Sequence, residues 1–113
     1  MLIQSRTSDG ITTITLDGAF GAGSGDALHD MLIQAAEGGT RAIVLDLLAV
    51  TRIDAAGLGE LARAFTVVQA YGSEFKIVVQ SDVIREMLIR TRLTTVLPTF
   101  SSSAEALASL AAA

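Results

Sequence analysis

The sequence predicts a single α/β domain with a mixed β-sheet that begins with an antiparallel hairpin and carries about four helices. Strand-like and helix-like patterns alternate along the 113 residues. Asp9-Gly10 separates the first two strand patterns, which is a strong signal for a hairpin turn. Residues 42–48 form an apolar run, typical of a strand buried on both faces. Right-handed crossovers would build the parallel part of the sheet, and no linker or repeat divides residues 1–113.

In the first half of the chain, glycine separates the strand and helix patterns. Residues 2–6 and 11–17 alternate apolar with polar side chains and predict the two strands of the hairpin. A glycine-rich loop follows over residues 18–25, and the spacing of apolar residues then predicts a helix over about 26–37. The apolar run is the third strand.

The second half of the chain predicts three more helices and two more strands. Asp54 is the expected N-cap of one helix and Ser81-Asp82 of the next, while Ser102 to Glu105 form a capping box for the last. In chain order these elements are a helix over about 55–71, a strand over 75–80, a helix to about residue 91, a short strand over 95–97 and a terminal helix.

Composition argues against several classes of function. The net charge of −4 and the single lysine speak against nucleic-acid binding, because phosphate contacts need clustered basic residues. Cysteine is absent, which removes disulfides and thiolate chemistry and is compatible with a cytoplasmic location. No apolar run approaches the roughly 18 residues that span a bilayer, and we expect neither membrane insertion nor a signal peptide.

The side chains needed for catalysis are also scarce. His29 is the only histidine, and it is expected to point away from the apolar face of the first helix into solvent. Without a cysteine, a second histidine or a serine elbow, neither a nucleophile–base pair nor a metal cluster can be assembled. We therefore expect no enzymatic activity, no metal and no cofactor.

The most specific motif covers residues 46–59, which read DLLAVTRIDAAGLG and predict the end of a buried strand, a short loop and a helix start. This segment resembles the signature of the STAS family, the anti-sigma factor antagonists, which runs roughly Asp-Leu-Ser-x-Val-x-x-Ile-Asp-Ser-Ser/Thr-Gly-Leu-Gly. The resemblance extends over nearly the whole chain and implies the STAS fold. One departure is Arg92-Leu93, where the family typically has Gly-Leu.

The resemblance implies a bacterial protein-binding switch that regulates transcription. In the family, the unphosphorylated protein binds an anti-sigma factor of the serine kinase type, and phosphorylation of the Ser or Thr after the second Asp releases it. Ala55 occupies that position here, and Ala56 occupies the next. The chain would then be a constitutive antagonist, a scaffold paralogue or an engineered variant. Thr51 is an alternative phosphoacceptor, although an ordinary loop threonine is the favoured interpretation.

The resemblance also implies where the partner binds, around the loop and the helix start and then along the helix. The helical period puts Ala56, Glu60, Ala64, Val67 and Tyr71 opposite Leu58, Leu61 and Phe65, on an outward face with little charge. The predicted partner-binding residues are Thr51, Asp54, Ala55, Ala56, Gly57, Glu60, Arg63, Ala64 and Val67.

Two other functions stay open at this point. Stand-alone STAS domains also resemble accessory subunits of transport systems. A ligand- or nucleotide-sensing module would use the glycine loop over 18–25, although that loop matches neither the Walker A nor the dinucleotide-binding pattern. The apolar content of 50% also leaves homodimerisation open.

Overall fold

The computed structural model describes residues 1–21, 23, 25–95 and 97–111, which form one five-stranded mixed sheet with helices on both faces. The strands lie in the order of the chain, from β1 to β5. The elements are β1 (Leu2–Ser8), β2 (Ile11–Phe20), α1 (Gly25–Glu37), β3 (Ala42–Ile53), α2 (Ala55–Ala70), β4 (Glu74–Val78), α3 (Asp82–Arg90), a 3₁₀ turn (Leu93–Thr95), β5 (Thr99–Phe100) and α4 (Ser103–Ala111).

The predicted hairpin and the mixed sheet are both confirmed. β1 pairs antiparallel with β2, and the remaining neighbours pair in parallel. Asp9 and Gly10 have φ angles of 55° and 77°, the two positive values that a type I′ hairpin turn requires. The two-residue turn sets Ser8 opposite Ile11 and so fixes the register of the hairpin.

The helices cover the two faces of the sheet unequally. The larger core joins one face of the sheet to α1, α2 and α3, through buried residues such as Leu32, Leu61 and Leu88. The smaller core joins the other face to α4, through Ala106 and Leu110. Ala42 to Leu45 of β3 are 0% exposed, as the apolar run predicts for a strand between two layers.

β2 and β3 both run further than predicted, and β3 reaches Ile53 instead of residue 48. The register between the two strands shifts between Thr15 and Asp17 and again between Gly18 and Ala19, which marks two irregularities of the bulge type. At the first of them, the Asp46 Oδ1 atom accepts a hydrogen bond of 2.9 Å from the backbone N–H of Leu48. The prediction of a loop after residue 48 is therefore wrong, and Thr51 lies on the strand with its side chain exposed.

The last strand is also displaced from its predicted position at 95–97. It occupies Thr99–Phe100, because pairing with β4 begins at Pro98, whose carbonyl accepts the N–H of Ile77 at 3.0 Å. Residues 93–95 form the 3₁₀ turn instead, and residue 96 lies outside the described residues.

Arg92 stands where the resemblance to the STAS family implies glycine, and its backbone conformation is one that favours glycine. Its φ angle is 60°, in the left-handed region that side chains with a Cβ adopt only at a cost. The N–H of Arg92 donates to the carbonyl of Ile89 at 3.0 Å, which closes the end of α3.

A chain of threonine hydroxyls ties the hairpin to the start of β3. The Oγ1 atoms of Thr12 and Thr40 are 2.8 Å apart, and both side chains are buried. Thr7 Oγ1 lies 2.9 Å from Thr12 Oγ1, and the Thr40 carbonyl accepts a bond from Ser73 Oγ at 2.7 Å. Buried hydroxyls of this kind stabilise a fold only while each keeps its partner.

We expect Thr12→Val to lower the free energy of unfolding by about 1–3 kcal/mol, because the hydroxyl of Thr40 would stay buried without its partner. The double variant Thr12→Val/Thr40→Val should recover part of that loss, since it removes both hydroxyls. Urea unfolding of the two single variants and the double variant measures the coupling. Additive losses would show that the two hydroxyls do not depend on each other.

Candidate functional site

The site begins where β3 turns into α2 with a single residue between them. That residue, Asp54, has an extended backbone (φ −101°, ψ −175°), and its Oδ1 atom accepts the N–H of Gly57 at 2.9 Å. Its carbonyl accepts the first helical bond, from the N–H of Leu58 at 3.0 Å. Asp54 is therefore the N-cap that the sequence predicts.

Gly57 lets the first turn of α2 approach the end of β2. The residue is buried, and a Cβ built on it would clash with the carbonyl oxygen of Phe20 and lie 2.9 Å from Cγ2 of Ile53. The same Phe20 oxygen accepts the N–H of Asp54 at 3.3 Å. Gly57 is thus required by packing, and it offers a partner no exposed surface in this structure.

Two glycines on either side of the connection between β2 and α1 lie beside carboxylates of the α2 region. A Cβ on Gly21 would clash with the carboxylate of Asp54, and one on Gly25 would clash with that of Glu60. Glu60 also pairs with Arg63, at 3.8 Å between Oε2 of Glu60 and Nη1 of Arg63. The predicted loop over 18–25 is shorter than expected, because its first three residues belong to β2; residues 22 and 24 lie outside the described residues.

The exposed side of α2 differs from the predicted one. Ala64 is only 2% exposed and belongs to the core, so the prediction that it faces outward is wrong. Glu60 and Val67 are half-buried, whereas Ala62 and Gln69 are exposed. The exposed residues of the first three turns, which we call the outer face of α2, are Ala55, Ala56, Gly59, Ala62, Arg63 and Thr66.

Sequence reasoning missed Gly59, Ala62 and Thr66 because it placed the largest apolar residues at the centre of the buried side. Leu58 and Phe65 are only half-buried, and the buried line runs through Gly57, Leu61, Ala64 and Val68. That line has the regular spacing of four, three and four residues, and this spacing could have indicated the correct side.

Tyr71 caps the carboxyl end of α2 and bridges to α1. Its side chain is 47% exposed, and its hydroxyl donates to Glu37 Oε1 at 3.3 Å. Partial desolvation raises the pKa of Tyr71, and the neighbouring Glu37 carboxylate raises it further, because both disfavour the phenolate. Tyr71 thus joins the far ends of the two helices and lies beyond the outer face of α2.

His29 is less exposed than predicted. Its side chain is half-buried on α1, and its Nδ1 atom is buried without a hydrogen-bond partner among the described residues. Within the same part of the chain, no three His, Cys, Asp or Glu side chains come close enough together to hold a metal ion. None of the described helices is long and apolar enough to cross a membrane.

The sequence model of the STAS domain matches residues 3–106 of this chain. The chain belongs to the STAS domain family. No curated protein sequence matches it, but several solved structures share the fold. An anti-sigma factor antagonist from Mycobacterium paratuberculosis is 21% identical with a TM-score of 0.85, and the match covers 96% of this chain and 92% of that one.

Two further structures show how widely this STAS fold is used. The phosphorylated form of the Bacillus cell fate determinant SpoIIAA is 14% identical, with a TM-score of 0.75 and coverage of 96% of this chain and 99% of that chain. A sulfate transporter family protein from Wolinella succinogenes is 24% identical, with a TM-score of 0.80 and coverage of 91% and 86%. These likenesses establish the fold, and the site must establish the function.

The two glycines near the start of α2 are expected to respond oppositely to alanine. Gly57→Ala should destabilise this STAS domain by about 1–3 kcal/mol, because its Cβ has no room beside Phe20. Gly59→Ala should stabilise it by about 0.5–1 kcal/mol, because its Cβ meets nothing within 4 Å and alanine favours the helix. Thermal unfolding of both variants measures the difference. A loss of stability in Gly59→Ala would contradict the open space at that position.

Proposed function

We propose that this STAS domain binds an anti-sigma factor of the serine kinase type and regulates transcription in the bacterial cytoplasm. The observation that carries the proposal is the place of Ala55, which is exposed and directly follows the Asp54 cap at the start of α2. This is the residue that matches the phosphoacceptor of the STAS signature, and it lies where a partner can reach it.

The start of α2 is a suitable place for a phosphorylation switch, but Ala55 has no hydroxyl group that could be phosphorylated. A helix N-terminus favours negative charge, so a phosphoryl group on residue 55 would be tolerated by the domain itself while opposing a docked partner. A related fold has been solved in a phosphorylated form. The methyl group of Ala55 accepts no phosphate, so this chain would hold the binding-competent state permanently.

The outer face of α2 is suited to contact with another protein. Five of its residues carry small side chains, and Arg63 is its one charged residue. Interface cores are depleted of charged residues, and small side chains allow a partner helix to pack close to the axis of α2. We therefore extend the predicted partner-binding set by Gly59, Ala62 and Thr66, with Thr51, Glu60 and Val67 at its margin. We remove Gly57 and Ala64, because both are buried.

We expect Ala55→Asp to weaken binding of the host's purified serine kinase-type anti-sigma factor by at least about tenfold, because a negative charge would enter the interface. Aspartate in the first turn of a helix is favourable, so the domain itself should stay folded. Isothermal titration calorimetry gives the dissociation constants. The matched control is Ala104→Asp, which changes an exposed alanine in the first turn of α4.

Equal binding by the Ala55→Asp variant would remove residue 55 from the interface. Absence of binding by the unaltered chain would favour the alternative, an accessory role in a transport system; a sulfate transporter family protein shares the fold. Mass spectrometry after incubation with the kinase tests Thr51, whose exposed hydroxyl is the nearby alternative acceptor.

The role of the outer face of α2 in partner binding can be tested separately from that of Ala55. Ala62→Glu should also weaken binding of the anti-sigma factor by at least about tenfold, because the new carboxylate would be desolvated at the centre of the face. Ala108→Glu is the control, since Ala108 is an exposed alanine of α4. Unchanged affinity in Ala62→Glu would limit the interface to the end of β3 and the first turn of α2.

A further inference from the structure

The face of the sheet that carries α4 also holds a groove, and no part of the proposed function uses it. α4 packs against β3, β4 and β5, and Ile11 of β2 packs against the edge of the small core beneath it. The surface of β1 and β2 beyond Ile11 lines the groove. The groove between α4 and these two strands has a volume of about 1050 Å³. This is the size of a site for a small organic molecule.

The register of the hairpin sets the floor of the groove. Thr12, Ile14 and Leu16 point into the larger core, so the alternate residues of β2 point the other way, into the groove. There Thr13 pairs with Arg6 of β1, and Thr15 pairs with Gln4. The floor thus offers hydroxyl and amide groups beside a guanidinium.

Two arginines line the groove, and neither is neutralised. None of the ion pairs among the described residues involves Arg6 or Arg41, and Asp9 is the one acidic residue in the lining. The backbone of Arg41 is held at both ends, since its N–H donates to Gly10 at 2.9 Å and its carbonyl accepts from Glu74 at 3.0 Å. In a chain of net charge −4, this groove carries a local excess of positive charge.

The groove also has an apolar side. Ile11 lies at the hairpin end of β2 and Leu107 lies on α4, and both line the groove. Leu107 is 39% exposed, although the neighbouring α4 residues Ala106 and Leu110 are buried. The groove thus offers an apolar wall beside its two unpaired arginines.

We propose that this groove binds an amphipathic organic anion. Its phosphate or carboxylate oxygens would be held by Arg6 and Arg41, because guanidinium groups bind such oxygens in bidentate pairs. Thr13 and Thr15 would donate hydrogen bonds along the floor, and the apolar body would cover Ile11 and Leu107. The groove lies on the opposite face of the sheet from α2, so this site is independent of the proposed partner-binding surface.

Nuclear magnetic resonance titration of the ¹⁵N-labelled full chain tests the proposal. The probes are hexyl phosphate and hexanoate, with inorganic phosphate and hexanol as the two halves of the ligand. We expect at least one of the two amphipathic anions to shift the amide signals of Ile11, Thr13, Thr15 and Leu107. Each half alone should bind at least about tenfold more weakly, which corresponds to ~1.4 kcal/mol. The tighter of hexyl phosphate and hexanoate identifies the oxyanion that the groove prefers.

Charge-matched variants decide whether the groove is the site. The double variant Arg6→Gln/Arg41→Gln should bind the amphipathic anion at least about tenfold more weakly. Arg52→Gln/Arg90→Gln should leave the affinity for the anion unchanged. Those arginines are also exposed and also free of ion pairs among the described residues, but they lie outside the groove. The proposal would be overturned if both double variants weakened anion binding equally, or if the shifted amide signals mapped outside the groove. It would also be overturned if neither amphipathic anion bound.

Discussion

The arrangement of the site depends on one close approach between the backbone of α2 and the last residue of β2. The carbonyl oxygen of Phe20 lies where a side chain on Gly57 would be, and it also accepts the N–H of Asp54. The Asp54 carboxylate then caps Gly57 itself. These contacts fix the point at which β3 ends and the direction in which α2 leaves the sheet. The exposure of Ala55 and the outer face of α2 follow from that direction.

The unequal covering of the sheet gives this small domain two separate surfaces. Three helices pack on one face, and the large core beneath them holds α2 so that its outer face meets solvent. On the other face, α4 covers β3, β4 and β5, and among the described residues most of the hairpin surface beside it lines the groove. A surface suited to a protein and a groove suited to an anion therefore lie back to back, with the buried β3 between them.

The features that were predicted correctly from sequence depend on neighbouring residues. The Asp9-Gly10 turn, the apolar run and the Asp54 cap each need only a few adjacent positions. The orientation of α2 needs more, because glycine and alanine contribute little hydrophobic signal and yet form its buried line with leucine and valine. The extension of β3 depends on its register with β2, and the shift of β5 depends on its pairing with β4. Such long-range pairing leaves no local pattern.

The strained backbone of Arg92 bears on which positions of this chain can vary. An arginine at φ 60° costs on the order of 1 kcal/mol relative to an unstrained backbone, and it occupies a position outside the outer face of α2 and outside the groove. Selection for binding does not act on such a position directly, so its residue can drift as long as the remaining stability keeps the domain folded. Arg92 therefore marks a position where this fold tolerates a strained residue.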